Sequence, residues 1–208
     1  MKSFLAAFQH LGEFSSHSHK LSHGSHLCKF YNTKESLIDT FSNYIVPSVT
    51  RGDGIIIIAT PSNKNSFIEA LEKRSVDVTR AIAIEQMVIL DAEETLSLFM
   101  QDDLPNAARF KAVMMPVITN IEKNFTGTRA YGEMVNVLWE RGNFEGAIQL
   151  ESLWNNLARE FSFTLLCAYN EKKFGPNDLA GHSSAVCMAH SHTISSDDEL
   201  QMTGAFID

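Results

Sequence analysis

No stretch of the chain is basic enough to follow a nucleic-acid backbone. Lys and Arg total 17 against 25 Asp and Glu, and the net charge is −8. Phosphate binding needs clustered cations, so a non-specific nucleic-acid binder is excluded. No apolar run approaches the roughly 18 residues of a membrane helix, and no membrane span is expected. Cysteine is scarce: Cys28, Cys167 and Cys187 are odd in number and widely spaced. That usage suits reduced thiols in the cytoplasm better than a disulfide framework. The opening MKSFLAAFQHLGEF carries one early Lys and a short apolar patch broken by His10 and Glu13. It predicts a short amphipathic helix rather than a cleaved secretory signal. There is no internal repeat.

What is present suffices for one domain. At 208 residues, 44% hydrophobic and 20% charged, the chain has the balance of a globular protein with a full core. Residues 15–26, SSHSHKLSHGSH, hold four of the eight histidines and read as a solvated linker. Such a tract binds metal weakly, without fixed geometry. From His26 onward, strand and helix signals alternate. HLCKFY (26–31) reads as a strand, and the helix after it is expected to end at Pro47 and Gly52. GIIIIAT is a β-branched run suited to a strand buried on both faces of a parallel sheet, and Ser62 is expected to cap the next helix. QMVILDA (86–92) and FSFTLLCAY (161–169) are further strands. A helix is expected over 105–124, opening at Pro105, and TRAYGEMV (128–135) reads as a strand passing into a helix that Gly142 ends. Residues 144–160 form a periodic helix with Ala147, Leu150, Trp154, Leu157 and Ala158 on one face. AVCMAHSHTI (185–194) reads as a last strand before an acidic, weakly structured end. Strands separated by helices imply βαβ units and a mostly parallel sheet with helices on both faces.

The segment GDGIIIIATPSNKNSF (52–67) has the strand–turn–helix order of a phosphate loop, yet the turn from Ala59 to Asn65 contains no glycine. Aligning Lys64 with the lysine of G-x-x-x-x-G-K-[ST] puts Ile58 and Asn63 at the glycine positions and Asn65 at the Ser/Thr position. The motif fails. A helix start here still offers free N–H groups and dipole charge to a small anion.

Several strings resemble one family: HLCKFY, GIIIIATP, TRAYGEMVNVLWERGNFEGAIQLESLWNNL, FTLLCAY and CMAHSH. R-x-Y-G-E-M followed by L-W-x-x-G-N is the most specific part. Over roughly residues 25–194 the chain resembles a MEDS domain, the sensory domain named after methanogens, methylotrophs and the dichloromethane-responsive repressor. The resemblance implies a RecA-like three-layer α/β domain, related to circadian-clock ATPases without their nucleotide machinery. It also implies sensing of small molecules such as hydrocarbon derivatives, beside histidine kinases or transcription regulators. The organisation expected is an N-terminal segment and linker (1–24), the sensory domain (25–194) and an acidic tail (195–208).

Arg129, Tyr131 and Glu133 sit at the end of a predicted parallel strand, where open α/β sheets bind ligands. Glu133 could echo a catalytic base with Arg129 as an anion anchor, or the two could form a structural ion pair. Glu151 lies at the edge of an apolar stripe, where a carboxylate is costly unless paired; it is expected to reach solvent or meet Arg129. Trp139 and Trp154 are core or pocket wall. His26 and Cys28 share a strand face, and Cys167, Cys187 and His190 add possible ligands, though no spacing is of the tight C-x₂-C kind.

The leading expectation is a cytoplasmic, non-enzymatic sensory domain that binds a small molecule through Thr60, Arg129, Tyr131 and Glu133. His26, Cys28, Cys167 and His190 are second candidates. A partner protein, a histidine kinase or transcription regulator, would read the signal, because the sequence carries neither a kinase core nor a helix-turn-helix. Homo-oligomerisation is left open. No cofactor is identified, and ATP is not expected to bind in the usual phosphate-loop manner. The alternatives are an atypical ATPase or phosphotransfer protein using Lys64 and Glu133, and a metal- or redox-responsive regulator using His26, Cys28, Cys187 and His190.

Overall fold

The six residues Gly54–Ala59 are all buried, as a β-branched strand between two helical layers must be. Around this strand a computed structural model, which describes residues 24–174, 182–198 and 200, builds a parallel sheet. The strands are β1 (His26–Tyr31), β2 (Gly54–Ala59), β3 (Met87–Asp91), β6 (Thr128–Gly132), β7 (Phe163–Asn170) and β8 (His192–Ile194). Their order across the sheet is β3-β2-β6-β7-β1-β8, and every pairing is parallel. A two-stranded antiparallel hairpin, β4 (Met100–Gln101) and β5 (Leu104–Pro105), stands apart.

Alternation along β2 splits the core in two. Ile55, Ile57 and Ala59 join Phe41, Tyr44, Phe67 and Leu71 on one face. Ile56 and Ile58 join Leu96, Phe110, Trp139, Leu150 and Trp154 on the other. The first face is covered by α1 (Lys34–Arg51), α2 (Pro61–Lys73) and α3 (Val78–Ala83). The second is covered by α4 (Ala92–Phe99), α5 (Ala107–Asn124), α6 (Met134–Glu140), α7 (Phe144–Glu160) and α8 (His182–Ala189). The result is the expected α/β sandwich of three layers. Both tryptophans are core residues, each 1% exposed.

Four local expectations need correction. Helix α1 runs through Pro47 to Arg51 and stops only at Gly52, whose φ of 86° closes the helix with bonds to the Ser48 and Val49 carbonyls. Proline removes one helical bond, and the burial of Tyr44, Ile45 and Ser48 around it outweighs that loss. Helix α2 starts earlier than Ser62: Thr60 is the N-cap and Pro61 the first residue. Pro105 belongs to the hairpin, and Asn106 caps α5 through Arg109 N–H. Residues 185–194 are not one strand. They form the end of α8, followed by three residues of β8 pairing with Leu27–Lys29. Ala and Met favour helix, and Val186 fills the core from that helix.

Of the expected N-terminal helix and solvated linker (15–26), residues 1–23 lie outside the described residues, as do 199 and the tail beyond 200. The linker's last residues, Ser25 and His26, are buried rather than solvated, because His26 opens β1 in the sheet. The stretch after β8 is docked rather than loose. Lys29, wholly buried in β1, donates from Nζ to the Ser195 carbonyl at 2.7 Å and to the Asp198 carbonyl, and Leu200 is 1% exposed.

Candidate functional site

The parallel sheet aims the carboxyl ends of β1, β2 and β6 at one edge, the usual binding edge of such sheets. A cleft of about 430 Å³ opens there, lined by Tyr31, Thr60, Ser62, Asn63, Glu93, Asn136, Val137, Glu140, Arg141 and Lys173. A second cleft of about 560 Å³ shares Glu93 and Arg141 with it. Those two residues form an exposed ion pair of 3.1 Å where the clefts meet.

Beneath the first cleft, bonded to its lining residues Thr60 and Asn63, lies Glu133. It follows β6 directly and carries 1% exposure. Its Oε2 accepts from the Thr60 N–H at 2.7 Å, and its Oε1 accepts from the Asn63 amide and, at 3.1 Å, from the Tyr131 hydroxyl. The protein's own carboxylate therefore sits at the start of α2, where a phosphate loop would hold phosphate. Burial raises the Glu133 pKa above the ordinary value, against the lowering effect of those hydrogen bonds. Burial likewise pushes Tyr131 up, and the neighbouring Glu133 charge adds to it. Tyr131 is held edge-on, 5.1 Å from both Phe41 and Phe67.

Arg129 does not share this position. It lies four residues back along β6, about 13 Å at the rise of a strand, and is 2% exposed. Its guanidinium stands 5.2 Å from the centroid of the Tyr44 ring, whose hydroxyl donates to the Thr164 carbonyl at 2.8 Å. The expected alternatives of an Arg129–Glu133 pair or a shared ligand anchor give way to two separate environments. Of the four residues first singled out, Thr60 lines the cleft, and Glu133 and Tyr131 lie beneath it. Arg129 lies on Tyr131's face of the sheet but toward the amino end of β6, against Tyr44.

The second candidates converge elsewhere, inside the α5–α8 side of the core. Strand β1 brings His26, β7 brings Cys167, α7 brings Glu151, and the link after α8 brings His190. Their four ligating atoms all lie within 4.8 Å of one another. His26 Nε2 is 3.3 Å from both Cys167 Sγ and Glu151 Oε2; His190 Nε2 is 3.3 Å from Glu151 Oε1; Cys167 Sγ is 3.6 Å from Glu151 Oε2. Tyr169 donates to Glu151 Oε1 at 2.6 Å. Glu151 is completely buried, so it neither reaches solvent nor meets Arg129, as the sequence had suggested. Burial works to raise its pKa, yet His190 and His26 hold it well below the usual carboxylate range. Burial pushes the Cys28 and Cys167 thiols up, with the Cys187 and Glu151 charges respectively adding to it. Cys28 sits beside Cys167 in the sheet register, and Cys187 packs at the margin of the same core; neither is among the four.

Sequence reasoning missed Asn63, Asn136, Arg141 and Lys173 in the cleft, and Tyr169 and Asn155 around the cluster. Asn63 carried no signal beyond its place in the βα turn. Glu151 did carry one, a carboxylate on an apolar stripe, but its partners come from elements remote in sequence.

No helix among the described residues is long and apolar enough to cross a membrane. No curated protein gives a significant match to the chain. Residues 25–185 match the family described as MEDS, the methanogen/methylotroph, DcmR sensory domain. That span covers the whole sheet except β8, both walls of the cleft and three of the four clustered side chains. With most of its length so matched, the chain belongs to the MEDS family of sensory domains.

Proposed function

We propose that this cytoplasmic domain is a non-catalytic sensor that binds a small polar molecule in the cleft over Thr60 and Asn63. A signalling partner, a histidine kinase or transcription regulator, reads its occupancy. The observation that carries this is the open cleft at the carboxyl ends of β1, β2 and β6, whose anion-binding turn is already filled by Glu133. With the Thr60 N–H and the Asn63 amide engaged, a triphosphate has no cradle. The wall still offers Tyr31, Asn136, Arg141 and Lys173 to a ligand smaller than a nucleotide. Occupancy acts by favouring one of two conformations, and only to the extent that the ligand binds them unequally. The Glu93–Arg141 pair between the two clefts is a natural element to shift, because an exposed ion pair is worth ~1 kcal/mol or less.

A thermal-shift screen with small alcohols, amines, carboxylates and halogenated hydrocarbon derivatives tests the site. A compound that raises the melting temperature of the wild type should lose its effect in Arg141→Ala and Asn63→Ala. Equal shifts in all three proteins would place the ligand elsewhere. Isothermal titration with Mg-ATP is expected to give no binding at millimolar nucleotide; saturable binding would revive the ATPase alternative.

A further inference from the structure

The cluster of His26, Glu151, Cys167 and His190 lies outside the cleft. We infer that these four side chains are the ligands of a divalent transition-metal ion, with zinc favoured by the donor set. Two imidazoles, one thiolate and one carboxylate form a mixed N/S/O set that suits zinc, with cobalt(II) as its spectroscopic substitute.

The spacing is the first argument. An ion bound tetrahedrally at about 2.0–2.1 Å to nitrogen or oxygen and about 2.3 Å to sulfur has ligand–ligand edges of about 3.3–3.6 Å. Three observed edges, 3.3, 3.3 and 3.6 Å, join His26 Nε2, Cys167 Sγ and Glu151 Oε2 in such a triangle. His190 Nε2 stands 3.3 Å from the other carboxylate oxygen, Oε1, and one ligating atom from each of the four lies within 4.8 Å of the rest. The four side chains are held at those edges by four different elements, so local sequence cannot produce the match.

The second argument is which nitrogen faces inward. His190 Nδ1 lies 2.6 Å from the Val186 carbonyl, which can only accept, so that nitrogen carries the proton. Asn155 donates from Nδ2 to the Ala189 carbonyl at 2.8 Å, which fixes its Oδ1 as the atom 3.0 Å from His26 Nδ1. That oxygen also accepts, so His26 Nδ1 carries a proton too. Each ring therefore turns its Nε2 inward, free to offer a lone pair when the ring is neutral, beside a Glu151 carboxylate that is acceptor-only when ionised. His190 Nε2 is buried and has no aligned hydrogen bond although Glu151 Oε1 is 3.3 Å away. A buried carboxylate among these inward-facing atoms needs positive charge beside it, and a bound cation supplies it without protonating either ring. Histidine ligands commonly have the other ring nitrogen held by a carbonyl or amide oxygen, with the ligating carboxylate hydrogen-bonded in turn. Here Val186, Asn155 and Tyr169 fill those outer places.

The site is closed: four protein ligands leave no position for a substrate, as in structural rather than catalytic zinc centres. Its role is to tie α8 and the start of β8 onto β1, β7 and α7. Cys28 is a neighbour and not a ligand, which separates this proposal from a general thiol cluster.

Zinc content of the untagged full-length protein and X-ray absorption at the zinc edge test the idea on the wild type alone. The expected result is one tightly held zinc per chain with one sulfur and three nitrogen or oxygen neighbours. A shell of nitrogen and oxygen only would assign the metal to the N-terminal histidine tract and overturn the proposal, as would protein that holds no zinc when refolded with it. Cobalt(II) added on refolding should give a thiolate charge-transfer band in the near ultraviolet, present in Cys28→Ser and absent in Cys167→Ser. Glu151→Gln, which keeps a partner for Tyr169, should lose the tightly held zinc while remaining folded by circular dichroism. A charge-transfer band that survives in Cys167→Ser would reject the ligand set.

Discussion

Glu133 gathers three donors, Thr60 N–H, the Asn63 amide and the Tyr131 hydroxyl, at a point almost closed to water. Truncation to alanine strands them, and an unsatisfied buried donor costs about 1–3 kcal/mol. Glu133→Ala should therefore lower unfolding stability by about 2–4 kcal/mol, read as a lower urea midpoint at unchanged slope. The same residue gives a pH dependence whose sign follows from its raised pKa. The folded state holds this proton more tightly than the unfolded chain does. Its contribution is complete below the unfolded value of about 4.3 and is lost as pH rises through the higher folded value. The stability of the wild type relative to Glu133→Gln should fall across that window and level off above it. A difference that rises or stays flat in urea titrations across this range would contradict the burial argument. Thr60 and Glu133 were legible as a pair of interest from the failed phosphate loop and the strand-end carboxylate. That one satisfies the other was not, because β2 and β6 are neighbours only in the sheet order.

At the scale of elements, α5 lies so close on β2 that a Cβ on Gly54 would come 2.2 Å from Ile121 Cγ2. Gly54→Ala must push the helix away or distort Ile121, and overpacking of this kind costs about 1–3 kcal/mol. Gly54→Ala combined with Ile121→Ala should cost less than the sum of the two single changes, because the second removes the clashing methyl; a double-mutant cycle by urea denaturation measures that coupling. Most elements were readable in the sequence. Apolar β-branched runs marked β2 and β3, and the stripe from Ala147 to Ala158 marked α7 at its observed ends. Helix α3 and the β4–β5 hairpin gave no warning. Their flanking turns place Ser75, Glu85, Asp102 and Asp103 at positive φ, where glycine would have been the readable signal.

For the whole molecule, Lys29 links the sheet to the chain beyond β8. It is 0% exposed, and its ammonium donates to the carbonyls of Ser195 and Asp198. Ending the chain after Ile194 removes both acceptors and uncovers the surface packed by Leu200. Hydrogen bonds to a charged group contribute about 1.5–3 kcal/mol each, so the truncated protein should lose about 3 kcal/mol or more. Lys29→Met in the truncated chain should recover part of that loss in thermal melts, since it removes the buried charge. An unchanged melting temperature on truncation would show that the segment merely rests on the surface.

By itself the sequence determined the class of fold, the parallel sheet, the failure of the phosphate loop and the family resemblance. All of these are written in local patterns of a few to thirty residues: alternation, β-branched runs, caps and one unusual string. Tertiary structure alone decided which side chains meet. It sent Arg129 to Tyr44, set Glu133 against the start of α2, and closed His26, Glu151, Cys167 and His190 on one another. Those contacts depend on strand order and on which face of each strand or helix turns inward, quantities fixed by packing between segments far apart in the chain.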